Sequence, residues 1–228
     1  MTRMTPALRP AGIAVLLVLT GMAAPVQAQT KGSLLWRAGV TQITPHVDSG
    51  DLSPPSFIGT KSDIEAATQL SGGVSYMVTD NWAVDVPLAL PFRHDIIGAG
   101  AIAGVGKIGD VKALPFTVLM QYRFGQANAS LRPYIGAGPT YAKFFGERGT
   151  ATLTALTNPG GPGTQLSVDS KLAATVQAGL ALKFSDQWFM DVMVSKTYLK
   201  TRTHLSTGQT LDAKLNPTTV SIGIGSKF

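Results

Sequence analysis

Residues 109–145 read GDVKALPFTVLMQYRFGQANASLRPYIGAGPTYAKFF. In the first half Leu114, Phe116, Val118, Met120, Tyr122 and Phe124 fall on one parity. Val111, Ala113, Pro115, Thr117, Leu119, Gln121 and Arg123 fall on the other. Successive side chains of a strand point to opposite faces, so this alternation predicts one long strand with an apolar face. The polar link GQANAS turns the chain into a second strand, from about Arg132 to Phe145. Both strands reach the roughly 9–11 residues needed to cross a bilayer at a tilt.

Three further hairpins of this kind can be read in the rest of the chain. GSLLWRAGVTQITP gives the first strand, and QLSGGVSYMVT and WAVDVPLALPFRH flank the turn at Asp80-Asn81. KLAATVQAGLALKF and WFMDVMVSKTYLKT flank Asp186-Gln187, and VSIGIGSKF ends the chain. Short links near 80, 126 and 186 alternate with longer ones near 55, 102, 158 and 207. The segment 146–170 carries Asn158-Pro159-Gly160-Gly161-Pro162-Gly163 and is expected to be loop throughout. The expected fold is therefore all-β: an eight-stranded antiparallel up-and-down transmembrane barrel with short periplasmic turns and long extracellular loops.

A soluble lipocalin-like barrel would turn the apolar parity inward instead. Two features favour the membrane. Trp36, Trp82, Tyr122, Phe124, Phe184, Trp188 and Phe228 gather on the apolar parity at the short-turn end, as an interfacial girdle does. Arg37, Asp85, Arg123, Lys183 and Asp191 lie on the opposite parity near the same end, where facing lipid would cost each a few kcal/mol. Inside a narrow lumen these charges are expected to pair as a periplasmic floor, Asp85 with Arg123 among them.

Residues 1–28 have a basic start, the apolar run GIAVLLVLTGMAA and a Val26-Gln27-Ala28 ending, which together describe a cleaved signal peptide. Residues 29–228 then form a single barrel domain. Losing Arg3 and Arg9 lowers the net charge from +6 to +4. That excess suits anionic outer-membrane lipid and lipopolysaccharide better than nucleic acid, which an exported chain seldom meets. The chain has no cysteine, so neither disulfides nor thiolate metal sites contribute.

The hairpin GDVKALPFTVLMQYRF…RPYIGAGPTYAKFF resembles the signature of the OmpW family of outer-membrane proteins. Tyr76–Asn81, Pro91–His94 and Leu215-Asn216-Pro217 are similar to other parts of its barrel. Asn216 and Ser226-Lys227 depart from its usual pattern. The resemblance implies localisation in the outer membrane of a Gram-negative bacterium and a narrow barrel that admits small hydrophobic molecules. It also implies that the terminal Phe228 is the signal read by the barrel-assembly machinery.

The inward row changes character toward the long loops. Ile43, Pro87, Ala89, Pro91, Val111, Pro115, Leu119 and Met193, with the small Ser195 opposite, are expected to line an apolar pocket above the charged floor. Proline donates no ladder hydrogen bond, so Pro87, Pro91 and Pro115 should weaken the wall and mark a lateral exit into the membrane. The alternative is a structural or receptor barrel without a passage.

Other motifs carry less. Gly104–Gly109 matches GxGxxG, but a strand containing Pro115 follows where a dinucleotide site needs a helix. His46, His94 and His204 are expected on the lipid side at the rim. A lipid hydrolase using His204 and Ser206 is the weakest reading, and neither an enzyme activity nor a cofactor is expected.

Overall fold

The computed structural model describes residues 29–227. The proposed signal peptide and Phe228 lie outside the described residues. In chain order the strands are β1 (Leu34–Thr44), β2 (Asp48–Ser49), β3 (Thr60–Ile64), β4 (Ala67–Met77), β5 (Trp82–Ala89), β6 (Phe92–Gly100), β7 (Lys107–Thr117) and β8 (Leu119–Arg123). They continue as β9 (Leu131–Gly149), β10 (Leu166–Val168), β11 (Lys171–Lys183), β12 (Trp188–Tyr198), β13 (Lys200–Leu205), β14 (Thr210–Lys214) and β15 (Thr218–Lys227).

Around the ring β1, β4, β5, β8, β9, β11, β12 and β15 pair antiparallel, and β15 returns to β1 with Trp36 opposite Ser226 and Thr44 opposite Thr218. This is the closed eight-stranded barrel expected from the alternation. Closure removes sheet edges, which the hydrocarbon of a bilayer requires. The apolar parity faces outward. Leu70, Leu88, Leu90, Phe116, Val118, Ile135, Val194 and Ile224 are about half exposed, and Leu172 is more so. At the short-turn end Trp36 meets Trp188 edge-on at 5.7 Å, and Trp82, Tyr122 and Phe124 stack edge-on at 5.1 and 5.0 Å.

The walls rise past the membrane on the long-loop side. A second sheet, β10-β13-β14-β2, and the tall β3-β6-β7 strands enclose an apolar cluster there that includes Ile96, Ile102, Ile108, Leu153, Leu166 and Leu205. The segment 146–170 is not loop throughout. β9 runs on to Gly149, and Ala151–Thr157 form helix α1, whose cap Thr150 accepts a hydrogen bond from the Leu153 N–H. Thr150 supplies the start signal, and burial of Leu153 in the outer cluster holds this short helix in place. The Pro/Gly run begins only after it.

The parity of the third wall switches. β5 pairs with β8 as far as Asp85 opposite Leu119, and β6 pairs with β7 from Phe92 opposite Ala113. Between these ladders, residues 86–91 face residues 114–118 without pairing, six against five. The extra residue turns Phe92, His94 and Ile96 inward, although Leu88 and Leu90 on the same sequence parity point out.

The topology predicts which sites face the medium. Single cysteines replacing Ala103, Ala155 and Ser206 should react with an impermeant maleimide on intact cells, and one replacing Gln126 should not. The reverse labelling pattern would invert the barrel.

Candidate functional site: the barrel lumen

At the short-turn end the lumen is closed by a polar network. Arg37 donates to both carboxylate oxygens of Asp85 (2.7 and 2.9 Å), and Ser75 Oγ donates to Asp85 at 2.5 Å. Arg37 also lies 3.8 Å from Asp191, which accepts from the Tyr134 hydroxyl at 3.0 and 3.1 Å. Arg123 sits over the Tyr134 ring at 5.0 Å and donates to Gln121 Oε1 at 2.9 Å. Gln29 Oε1 accepts from both Arg123 and Arg132 at 3.3 Å. Glycines make room for the bulky members. A Cβ on Gly179 would strike the Tyr134 ring, and one on Gly225 would strike Phe189. Below the network Leu35, Met77, Ala83, Ala181 and Phe189 pack as an apolar seal.

Four of the five residues expected in the floor are there, with different partners. Asp85 is held by Arg37, and no ion pair joins it to Arg123 among the described residues. Lys183 stands apart, reaching Asp186 in the adjoining turn at 3.0 Å, because it is the last residue of β11 and its flexible stem follows solvent. Arg132 and Tyr134 belong to the floor and were missed. They share the even parity of β9, opposite the exposed Leu131 and Ile135, and that alternation was their signal.

Above the floor lies a cavity of about 130 Å³. Ile43, Pro87, Ala89, Val111, Pro115, Leu119, Met193 and Ser195 all line it, and so do Phe92 and His94. Pro91 does not. The register slip turns it out of the inward row, and its carbonyl accepts from Gln69 Nε2 at 3.2 Å. The same slip moves His94 from the expected lipid side to the interior, where its Nδ1 bonds the Glu65 carbonyl at 2.8 Å. A second apolar cavity of about 80 Å³ lies further out, and Ile64, Val111, Phe144 and Leu215 line both.

The unpaired stretch between β5–β6 and β7–β8 borders the inner cavity through Pro87, Ala89, Pro115 and Thr117. Leu88, Leu90, Phe116 and Val118 on its outer side are exposed at the level of the apolar band. Three of its residues are prolines and bring no N–H. The Leu90 and Val118 amides bond the neighbouring strands instead, at the Leu70 and Pro139 carbonyls. The wall can therefore stay open here without stranding most of its donors.

Much of the rim charge is paired internally. Arg93 meets Asp110 at 2.9 Å, Lys107 meets Asp95 at 2.7 Å, and Arg202 meets Asp212 at 2.7 Å. The Arg202 hydrogen bond holds the Asp212 carboxyl below its usual pKa, and the Lys171 ammonium does the same for Asp169. Lys112, Lys143, Arg148 and Lys200 have no ion-pair partner among the described residues. His204 lies 3.4 Å from Asp169, Ser206 Oγ accepts from the Gln165 N–H, and no hydrogen bond joins Ser206 to His204 among the described residues.

The model of the OmpW family matches residues 30–228. The chain belongs to the OmpW family. Outer membrane protein W of Vibrio cholerae serotype O1 is 34% identical over 225 residues, covering 95% of this chain and 97% of that protein. The crystal structure of outer membrane protein OprG from Pseudomonas aeruginosa superposes with a TM-score of 0.79 at 26% identity, covering 88% of this chain and 98% of that one. A Pseudomonas aeruginosa protein named dibenzothiophene metabolism operon protein PahQ is 27% identical, over 75% of this chain and 76% of its own length. This OmpW-family chain is thus an outer-membrane β-barrel of a Gram-negative bacterium.

The floor geometry predicts an asymmetry. Arg37→Leu leaves Asp85 buried and uncompensated, which should cost about 3–5 kcal/mol. The double replacement Arg37→Leu/Asp85→Leu should recover much of that loss. Urea midpoints of the refolded barrel, read by heat-shifted gel migration, check it, with Lys183→Ala expected to be neutral. Equal losses in the single and double variants would contradict the pairing.

Proposed function

We propose that this barrel admits small hydrophobic molecules from the long-loop side and releases them sideways into the outer membrane. The observation that carries the reading is the unpaired stretch between residues 86–91 and 114–118, which lies beside an apolar cavity at the depth of the apolar band. A straight passage is opposed by the floor. An alkyl chain entering the Arg37–Asp85–Asp191 network would have to separate buried charges from their partners and offers nothing in return. Lateral release instead carries an apolar solute from one apolar medium to another.

The outer cavity extends the same logic upward. It gives the solute an apolar path through the sugar and phosphate layer, between walls whose outer surface is charged. Lys112, Lys143, Arg148 and Lys200, which have no ion-pair partner among the described residues, would contact lipopolysaccharide phosphates there. The name of the PahQ relative ties that protein to metabolism of dibenzothiophene, a small apolar aromatic compound, which supports an apolar solute for this mostly apolar lumen. Insertion through Phe228 and the barrel-assembly machinery completes the proposal.

Ala89→Trp should fill the inner cavity beside the gap. Whole-cell uptake of a small hydrocarbon should then fall to the level of cells lacking the protein, and uptake of a polar solute of similar size should be unchanged. If hydrocarbon uptake never depends on the protein, the conduit is wrong and a structural or receptor barrel takes its place.

A further inference from the structure

The inner cavity is not uniformly apolar. Gln177, inward on β11, is only 5% exposed, and among the described residues neither its Nε2 nor its Oε1 has a hydrogen-bond partner. It pairs across the ladders with Ser195 and with Gly136. A Cβ on Gly136 would stand 2.9 Å from Gln177 Nε2, so the carboxamide lies against the wall in space that only glycine leaves. An unpartnered amide at this depth is unfavourable; its two polar atoms are covered by the packed wall, and a solute meets them once the side chain turns toward the cavity that the residue lines.

Hydroxyl groups line the cavity beside it. Thr117, Thr140, Thr175 and Thr197 form a chain across β7, β9, β11 and β12, with oxygens 2.8, 2.6 and 2.8 Å apart. Ser71, Thr41 and Ser221 form another across β4, β1 and β15, at 2.7 and 2.5 Å. Four hydroxyls joined by three bonds keep one donor in hand, and three joined by two also keep one. No hydroxyl comes from β5. Pro87 and Ala89 stand there, on the side of the unpaired stretch.

We propose that the inner cavity selects neutral amphiphiles: an apolar body ending in one group that both donates and accepts, a primary alcohol or a primary carboxamide. The head group meets the Gln177 carboxamide, and the body lies along the apolar lining. A pure hydrocarbon passes but leaves the carboxamide unpartnered. A carboxylate brings a net charge into a space whose lining cation, Arg37, is already held by Asp85 and Asp191. This inference deepens the conduit reading and rests on it.

Initial uptake of octan-1-ol and of n-octane, measured in cells with intact lipopolysaccharide, tests it. Gln177→Leu should slow octan-1-ol about tenfold, the loss of one well-made hydrogen bond to a buried group, and leave n-octane unchanged. An unchanged ratio of the two rates in a variant that folds, judged by heat-shifted gel migration, overturns the proposal. Should the variant fail to fold, wild-type barrel labelled with ¹⁵N in lipid nanodiscs decides. Octan-1-ol should move the Gln177 side-chain amide signals and n-octane should not; equal shifts, or none, overturn the assignment. Loss of all protein dependence for n-octane would instead count against the conduit itself, so the two failures are distinguishable.

Discussion

In hydrocarbon no water is available to a backbone amide, so a barrel must close its ladder all the way round or supply a reason for each place where it does not. This chain closes seven seams between its eight walls and leaves part of one open. At that seam Pro87, Pro91 and Pro115 remove three donors, and neighbouring strands take the Leu90 and Val118 amides. The extra residue on the β5–β6 side prevents a single continuous register across the seam. Composition and register act together: prolines lower the cost of the gap, and the slip keeps it from closing.

The remaining lumen features follow from having such a gap. A barrel open at its side and at both ends would leak ions, and in the proposed conduit the paired floor opposes that. Arg37, Asp85, Asp191 and Tyr134 satisfy one another, and Gly179 and Gly225 give Tyr134 and Phe189 the room to lie flat. The apolar cavities above would offer an entering solute an environment like the one into which the proposed lateral exit opens. Polar side chains also line that path, the hydroxyl chains and Gln177 among them.

The fold was legible in the sequence because alternation against a bilayer is a strong signal. Each inward row repeats every second residue, and Leu114 to Phe124 shows it without interruption. Wherever one residue was added or the contrast was weak, the reading failed. The slip before Phe92 moved Pro91 out of the lining and His94 into it, and strict parity counting cannot see a bulge. Tyr134 and Arg132 were overlooked in a strand whose inward row also carries Gly136 and Gly138, so the row did not stand out as polar. Gln177 was hidden among small residues in KLAATVQAGLALKF. Partner choice was not legible at all: Asp85 on β5 reaches across β4 to Arg37 on β1, although Arg123 lies on β8, the direct neighbour of β5.

The most direct test is to close the gap in a folded barrel. The chain contains no cysteine, so a pair replacing Leu88 and Phe116, one on each side of the unpaired stretch, can be bridged with a bifunctional thiol reagent without background. Uptake of a small hydrocarbon by cells with intact lipopolysaccharide should stop when the bridge forms and return when a cleavable bridge is reduced. Uptake that continues at the unbridged rate while the bridge is intact would contradict lateral release.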